Sequence, residues 1–195
     1  MNKLSYGLLS FLSTEPQTGY DLMLRLNQFW HTTHSAIYPL LSELEENDLA
    51  NFTLIEQVGK PDKKLYTITD QGMDTLKKWI TSPTDAAVIK DEMHLKLFCI
   101  QALDKETTEK LIFDMENRYT KELNNYTNSL EKLKNAVGGV LSFHSPKMGS
   151  YILLQKKIGD TQIGIKWCKW VKTFYEQNGD INLFENDFTD FIGRF

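Results

Sequence analysis

The segment from Gly19 to Thr69 constrains the fold of this chain more than any other stretch. Two blocks of apolar residues at helical spacing are separated by a short polar turn. Two stretches rich in β-branched and aromatic residues follow, Phe52–Val58 and Lys64–Thr69, with a glycine- and proline-containing loop at 59–62 between them. The pattern predicts helix, turn, helix and β-hairpin in that order.

The helix starts in this segment carry their own signals. Thr18 can cap the first of the two helices, with Asp21 three positions later as in a capping box. The second helix should begin near Ser35, because Pro39 lacks a backbone N–H and costs little only within the first turn of a helix. Such a helix pair followed by a hairpin is typical of a winged helix-turn-helix, in which the second helix reads the DNA major groove.

The fold class that we predict is mainly α with a small β wing. A winged helix-turn-helix domain would span residues 1–83, and an all-α dimerisation and effector domain with long helices would span 84–178. A tail over 179–195 repeats a helical pattern and is expected to dock as a short helix. With 195 residues, 41% of them hydrophobic, the chain can bury a core without disulfides. It has no apolar run near the ~20 residues that a membrane span needs.

The second informative feature is a stripe of apolar residues on a helix predicted over residues 105–137. Its steps of three and four describe a heptad seam. A stripe this long needs a partner surface, so we expect a homodimer, although the pattern leaves open whether the seam pairs within one chain or across two. The residues assigned to dimerisation are Ile112, Met115, Tyr119, Leu123, Tyr126, Leu130 and Leu133, together with Trp170 on a final long helix over about 147–177. Inside that last helix, Gly159 and Gly164 allow either close helix packing or room for a ligand.

The charge balance does not by itself favour DNA binding. The chain carries a net charge of −4, and residues 1–83 contain seven basic against ten acidic side chains. The charges are segregated, however. Acidic residues crowd the end of the predicted reading helix, at Glu43, Glu45, Glu46 and Asp48, whereas Lys60, Lys63 and Lys64 cluster on the hairpin.

The reading face follows from the apolar face. With Ile37, Leu41 and Leu44 inside, the outward residues at the start of the helix are His34, Ser35, Tyr38 and, one turn later, Ser42, all of which can bond base edges or phosphates. Further phosphate contacts are expected from Thr32, Thr33, Gly19 and Tyr20, and from the three hairpin lysines over an adjacent minor groove. No arginine is present there, so we expect modest base readout and a larger share from phosphates and DNA shape.

Three sequence motifs resemble the PadR family of bacterial transcriptional regulators, over about residues 1–178. They are LSYGLLSFLSTEPQTGYDL, HSAIYPLLSELEENDL and GKPDKKLYTITDQGMDTLKKWI. The resemblance implies that Gly19, Tyr20, His34, Ser35, Tyr38 and Pro39 lie at or near DNA, with Lys60, Lys63 and Lys64 on the wing. It also implies a helical C-terminal domain whose helices intertwine with those of a second chain.

The segment SFHSPKMGSYILL is similar to one in the phenolic-acid-sensing members of that family. This likeness implies a homodimeric repressor that binds an inverted repeat, controls a phenolic acid decarboxylase gene and leaves DNA when a hydroxycinnamate binds between the two domains. Phe98, Tyr151 and Trp167 are the aromatic side chains that we assign to the effector.

Other functions remain open at this point. A PadR-type regulator of a drug efflux or stress gene could respond to another ligand, because small relatives hold planar drugs between tryptophans. A metal-responsive sensor could use the pairs His31–His34 or Asp91–His94, but neither pair supplies enough ligands alone. Winged helices also serve as protein-interaction modules. We expect no enzyme, since nucleophile elbows and phosphate loops are missing from the sequence. We also expect no cofactor, a cytoplasmic location, and free buried thiols at Cys99 and Cys168.

Overall fold

The structure, a computed structural model, describes residues 1–27, 30, 32–57, 59, 62–86, 91–176, 182 and 187–193. The chain divides into two compact units, Met1–Ala87 and Val88–Phe195. The described part is mainly helical with one small antiparallel sheet, which confirms the predicted fold class. Among the described residues, none of the helices combines the length and apolar character of a membrane span.

The first unit contains a helix-turn-helix followed by a hairpin, as the sequence predicts. Its elements are α1 (Lys3–Leu12), β1 (Gln17–Thr18), α2 (Gly19–Leu26), α3 (His34–Glu46), β2 (Ala50–Ile55), β3 (Lys63–Ile68) and α4 (Asp70–Ile80). The strand order is β1-β3-β2, and both pairings are antiparallel. The sequence did not predict β1, because two residues are too few to show a period.

Side-chain caps set three of these helix starts. The carboxamide of Asn2 accepts a hydrogen bond from the Ser5 backbone N–H at 2.9 Å, and Thr18 accepts one from the Asp21 N–H at 3.2 Å. Thr69 caps α4 in the same way, accepting from the Gly72 N–H at 3.0 Å. The predicted cap at Thr18 is thus confirmed.

One continuous core holds the first unit together. Leucines from the three N-terminal helices meet residues of the sheet and of α4, and the fully buried set includes Leu8, Leu9, Leu22, Ile37, Leu41 and Leu44. Burying one such side chain contributes about 1.5–3 kcal/mol. This core fixes α3 by one face and leaves its other face exposed.

The second unit contains long helices. Its elements are α5 (Glu92–Phe98), a 3-10 turn (Ile100–Ala102), α6 (Lys105–Ala136), α7 (Met148–Glu176) and α8 (Phe188–Ile192). The sequence from about Asp85 to Ala102 predicts a single helix, and this prediction is wrong. Helix α5 begins at Glu92, because Asp91 caps it by accepting a hydrogen bond from the Met93 N–H at 3.0 Å.

Helices α6 and α7 pack antiparallel on each other. Gly138 and Gly139 directly follow α6 and stop it. Their φ angles are 64° and 78°, a conformation that glycine adopts without strain. A Cβ added at Gly164 would lie 2.9 Å from the Tyr119 ring, so Gly164 serves close packing of the two helices. Gly159 has nothing within 4 Å of that position and lies in open space.

Part of the apolar stripe is buried within a single protomer. Ile112 is 0% exposed and Met115 is 4% exposed, both in a cluster with Cys168 and Val171 of α7. Leu130, 8% exposed, is also buried. These three residues, which the sequence predicts at a dimer interface, have almost no surface left to offer to a second chain. The remaining residues of the stripe, Tyr119, Leu123, Tyr126 and Leu133, are half-buried.

Helix α8 lies against the end of α7. The ring centroids of Trp170 and Phe188 are 5.4 Å apart, and Trp170 also meets Phe174 edge-on at 4.6 Å. Aromatic pairs at these separations stabilise by about 0.5–1.5 kcal/mol beyond their buried area. Trp170, another residue assigned to dimerisation, therefore has partners within its own chain.

Candidate nucleic-acid interface

The start of α3 presents a continuous exposed face. His34, Ser35, Tyr38 and Pro39 are exposed, as is Ser42 one turn later. Residues at these spacings lie on one side of a helix. The opposite side holds Ile37, Leu41 and Leu44, each 0% exposed in the core. The division between an exposed face and a buried apolar face is the one that the sequence predicts.

At the N-terminus of α3, the Ala36 N–H donates to the Thr33 carbonyl at 3.1 Å, whereas the described residues offer no acceptor to the N–H groups of His34 and Ser35. The N-cap Thr33 makes no capping hydrogen bond with its side chain. Its hydroxyl instead lies 3.0 Å from the Ser35 hydroxyl. The first N–H groups of a helix point outward and favour anions, so this end can accept a phosphate.

Thr32 differs from its neighbour. It is 8% exposed, and its backbone N–H donates to the Asn27 carboxamide at 2.8 Å. That N–H is used within the turn between α2 and α3 and is not available for a phosphate. Thr33 is exposed, so its side chain remains accessible for the phosphate contact that the sequence predicts.

Tyr38 is held between two neighbours. Its ring centroid lies 4.3 Å from that of His34, at an interplanar angle of 34°. On the other side is Gly19, the first residue of α2, where an added Cβ would lie 3.1 Å from Cζ and Oη of Tyr38. The two helices approach so closely at this point that a methyl group at residue 19 would have to displace the Tyr38 ring by a few tenths of an ångström. Tyr20, next to it, is 55% exposed.

Pro39 is the sixth residue of α3. Because α3 begins at His34, Pro39 is in the second turn and not in the first. The predicted start near Ser35 is thus confirmed, whereas the placement of Pro39 within the first turn is wrong. Since Pro39 has no N–H, the Ser35 carbonyl cannot receive the usual i→i−4 backbone hydrogen bond. The Ser35 carbonyl oxygen is therefore a hydrogen-bond acceptor on the exposed face of α3 that lacks its usual helical donor.

The hairpin beside α3 carries the basic residues. Lys63 is exposed, while Lys64 turns towards α3, with its Nζ 3.4 Å from Glu45 Oε2 and 3.6 Å from the centroid of the Phe52 ring. Lys60 lies outside the described residues. Glu45 was assigned only to the acidic end of α3, so sequence reasoning missed its contact with the hairpin.

Behind the hairpin, Tyr66 is buried at the junction of sheet and helix. Burial raises the pKa of its phenol, and the nearby carboxylate of Glu45 raises it further. The phenol therefore stays neutral at physiological pH. Acidic charge on this side of α3 is concentrated in its last turn, away from the start of the helix.

The three aromatic residues assigned to the effector occupy different places in the second unit. Phe98 is 85% exposed on α5, whereas Trp167 packs half-buried against the α6–α7 cluster. Tyr151 is half-buried near the start of α7, more than four turns from Trp167 and about 24 Å from it along the axis. One small ring therefore cannot contact Tyr151 and Trp167 of the same chain.

Comparison with known proteins identifies the family. The family model for the transcriptional regulator PadR-like family matches residues 8–78, and the model for the virulence activator alpha C-term matches residues 89–176. The chain is 31% identical over 183 residues to the negative transcriptional regulator PadR of Bacillus subtilis (strain 168), covering 91% of this chain and 100% of that protein. The chain belongs to the PadR family.

Two crystal structures extend the likeness to almost the whole PadR-family chain. Bacillus subtilis PadR in complex with operator DNA matches with a TM-score of 0.80 at 29% identity, over 90% of this chain and 98% of that one. The same protein in complex with p-coumaric acid matches with a TM-score of 0.74 at 28% identity, over 89% and 99%. The chain is a DNA-binding transcriptional repressor of the PadR type and not an enzyme, as the sequence predicts.

A metal site was the main alternative chemistry. Within the described ranges, no group of three or more His, Cys, Asp or Glu residues could hold a metal ion. The pair His31–His34 lies partly outside those ranges, because His31 is not described. His94 and Asp91 lie at the start of α5, where Asp91 is bonded to Arg118 instead.

Proposed function

We propose that this protein is a homodimeric repressor that binds an inverted-repeat operator and releases it when a small aromatic acid binds. The observation that carries the proposal is the exposed face of His34, Ser35, Tyr38 and Pro39 at the start of α3, beside a lysine-bearing hairpin. A similar chain, Bacillus subtilis PadR, has been solved with operator DNA.

Each first unit would place the start of α3 in a major groove. Two such units on one dimer would read half-sites about one helical turn apart, roughly 34–36 Å. The N–H groups at the starts of α2 and α3 and the hairpin cations would contact phosphates. Affinity from phosphate contacts falls steeply with salt, so binding should be strongly salt-dependent.

Exposed apolar side chains on the second unit support a dimer. Large side chains that a single chain leaves in solvent are Leu95, Phe98, Phe113, Val140, Phe143, Ile152 and Ile163, exposed by 50% to 85%. Apolar surface of this extent on a folded unit is characteristic of an interaction site. A second copy of the same surface is the occupant that an inverted-repeat operator requires.

The effector that we propose is a hydroxycinnamic acid, and the regulated gene a phenolic acid decarboxylase. The support is the solved complex of Bacillus subtilis PadR with p-coumaric acid. A hundredfold loss of operator affinity requires ~2.7 kcal/mol of differential binding of the ligand between two dimer conformations. One carboxylate with its hydrogen bonds supplies this amount. Phe98 or Trp167 would contact the ring.

A mobility-shift assay tests this function. The probe is DNA from upstream of the protein's own gene and of a phenolic acid decarboxylase gene, with and without p-coumarate, and with benzoate as the matched acid that lacks the phenol and the propenoate. We expect a shifted complex that p-coumarate releases and benzoate does not. If p-coumarate leaves the complex intact, the protein is a PadR-type regulator of another ligand. A failure to shift any of the DNA removes the operator assignment.

A further inference from the structure

The two described lysines of the hairpin point to opposite faces. Lys63 and Lys64 are neighbours on β3, and successive side chains of a strand alternate between its faces. Lys63 pairs with Ile55 across the hairpin, and Lys64 pairs with Leu54. One face carries the buried Ala50 and Tyr66 and so is turned towards the core. Lys64 lies on that face, because it shares the alternation of Tyr66.

Lys64 is engaged within the protein. Its ammonium group lies 3.4 Å from the Glu45 carboxylate and 3.6 Å from the centre of the Phe52 ring. The two charged side chains are only 41% and 37% exposed. Both an ion pair and a cation–π contact therefore hold this side chain in one direction.

The end of α3 supplies a further reason for a cation at this place. Its last turn contains acidic residues and no basic ones. The C-terminus of a helix carries partial negative charge, so acidic side chains there are unfavourable and a nearby cation is favourable. Lys64 brings that cation from the neighbouring strand.

We propose that Lys64 is a positioning residue, which fastens the wing to the recognition helix through Glu45 and Phe52, and that Lys63 is the wing lysine that binds phosphate. This inference rests on the proposed DNA-binding function and revises its wing. Equal roles for both lysines would require Lys64 to leave two partners and turn away from α3. With Lys64 in place, the start of α3 and the outer face of the wing meet DNA as one body.

The first experiment measures operator affinity against salt. Lys63→Ala should make the slope of log K against log[salt] shallower by about 1.8, since a dimer loses one phosphate contact from each wing. Lys64→Met should lower affinity about twofold to fivefold at every salt concentration with the slope unchanged. Lys64→Arg keeps the charge and should restore wild-type affinity.

The change in operator affinity on removing Glu45 is a more decisive test, because the two explanations predict changes in opposite directions. Removing a negative charge close to DNA would by itself tighten binding. If Glu45 acts through Lys64, Glu45→Ala instead weakens operator binding about as much as Lys64→Met does. Glu46→Ala is the matched control, because Glu46 is in the same turn and no salt bridge to it is found among the described residues. This control should bind at least as tightly as wild type.

The second experiment needs no DNA. Amide hydrogen exchange of the dimer should become faster in β2 and β3 for Lys64→Met and Glu45→Ala, with α1 and α4 unchanged and Lys64→Arg like wild type. If wild type fails to bind DNA, the proposed function falls while the exchange data still decide the contact of wing and helix.

Three results would overturn the inference. One is a Lys64→Met variant whose salt slope flattens as much as that of Lys63→Ala. Another is tighter binding by Glu45→Ala with a steeper slope, which would mean that Glu45 withholds Lys64 from DNA. The third is hydrogen exchange in the hairpin that neither variant changes.

Discussion

The ring of Tyr38 packs directly over Gly19, so that the exposed face of α3 and the start of α2 are in contact. A Cβ at residue 19 would lie 3.1 Å from Cζ and Oη of Tyr38 and equally close to a methyl group of Leu41. These separations are shorter than ordinary van der Waals contacts, so a larger residue must displace its neighbours. The position of Tyr38 on the exposed face of α3 thus depends on the residue at position 19.

Gly19→Ala should therefore weaken operator binding without unfolding the protein. The added methyl group pushes Tyr38 outward by a few tenths of an ångström, and we expect a several-fold loss of operator affinity with a stability change of about 1 kcal/mol. Titrations of operator and of unrelated DNA measure the two effects. Gly149→Ala is the control, because its Cβ meets nothing within 4 Å. Equal losses on both DNAs would mean that Tyr38 does not read bases.

Asp91→Asn should destabilise the second unit at neutral pH. Asp91 accepts a hydrogen bond from Arg118 Nη2 at 3.0 Å and another from the Met93 N–H. Both bonds hold the pKa of its carboxyl below the ordinary value, and the bond from Arg118 has the larger effect. Asparagine retains a capping oxygen but loses the charge, so we expect a loss of about 0.5–1 kcal/mol.

The pH dependence of this loss has a defined direction. Because the folded-state pKa is lowered, the contribution of Asp91 is present above the unfolded-state pKa of about 3.9 and is lost as the pH falls to the folded-state pKa. Urea unfolding at pH 7 and at successively lower pH should show wild type and Asp91→Asn converging below about pH 4. A difference that is constant with pH would mean that the charge is not responsible.

Only one of the two cysteines should react in the folded protein. Cys168 is 0% exposed, and burial raises the pKa of its thiol to about 11, with Glu116 adding to the effect. It stays protonated and inaccessible at pH 8. Cys99 is exposed. A thiol reagent should therefore label one cysteine quickly and the second only after denaturation, and Cys99→Ser should abolish the fast phase. Two fast thiols in the native protein would contradict this burial.

Ile112→Ala and Ile163→Glu should separate folding from association. Ile112 is fully buried within one chain, so its truncation should cost about 2–4 kcal/mol of stability and leave the proposed dimer intact. Ile163 is 50% exposed on α7, and a charge there should dissociate the dimer with little loss of protomer stability. Sedimentation velocity and thermal unfolding read the two effects. A persisting dimer of Ile163→Glu would move the interface to another face.

Local signals in the sequence were enough to predict the first unit in outline. The cap at Thr18 and the apolar face of Ile37, Leu41 and Leu44 depend only on nearby residues, and both are found in the structure. Strand β1 could not be found this way, because it exists only through its pairing with β3. The start of α5 depends on Asp91, a cap that the apolar pattern did not weigh.

The second unit shows where a single sequence stops being informative. The stripe on α6 has the same spacing whether it packs on α7 or on another chain, and only the fold assigns Ile112 and Met115 to the protomer core. In the first unit, by contrast, the face to which Lys64 points could be predicted from the sequence, because the side chains of neighbouring residues in a strand alternate between its two faces. What the sequence could not supply was the partner, because Glu45 lies nineteen positions away and meets Lys64 only after folding.

The pairing of Lys63 with Ile55 and of Lys64 with Leu54 makes the charge distribution of the wing a matter of register. A slip of β3 by one residue against β2 would exchange the inner and outer lysines. It would also move each of the other β3 side chains to the opposite face of the sheet. Which lysine of the hairpin faces solvent is therefore set by strand register: the same amino acids paired one position out of step would expose Lys64 and turn Lys63 towards α3.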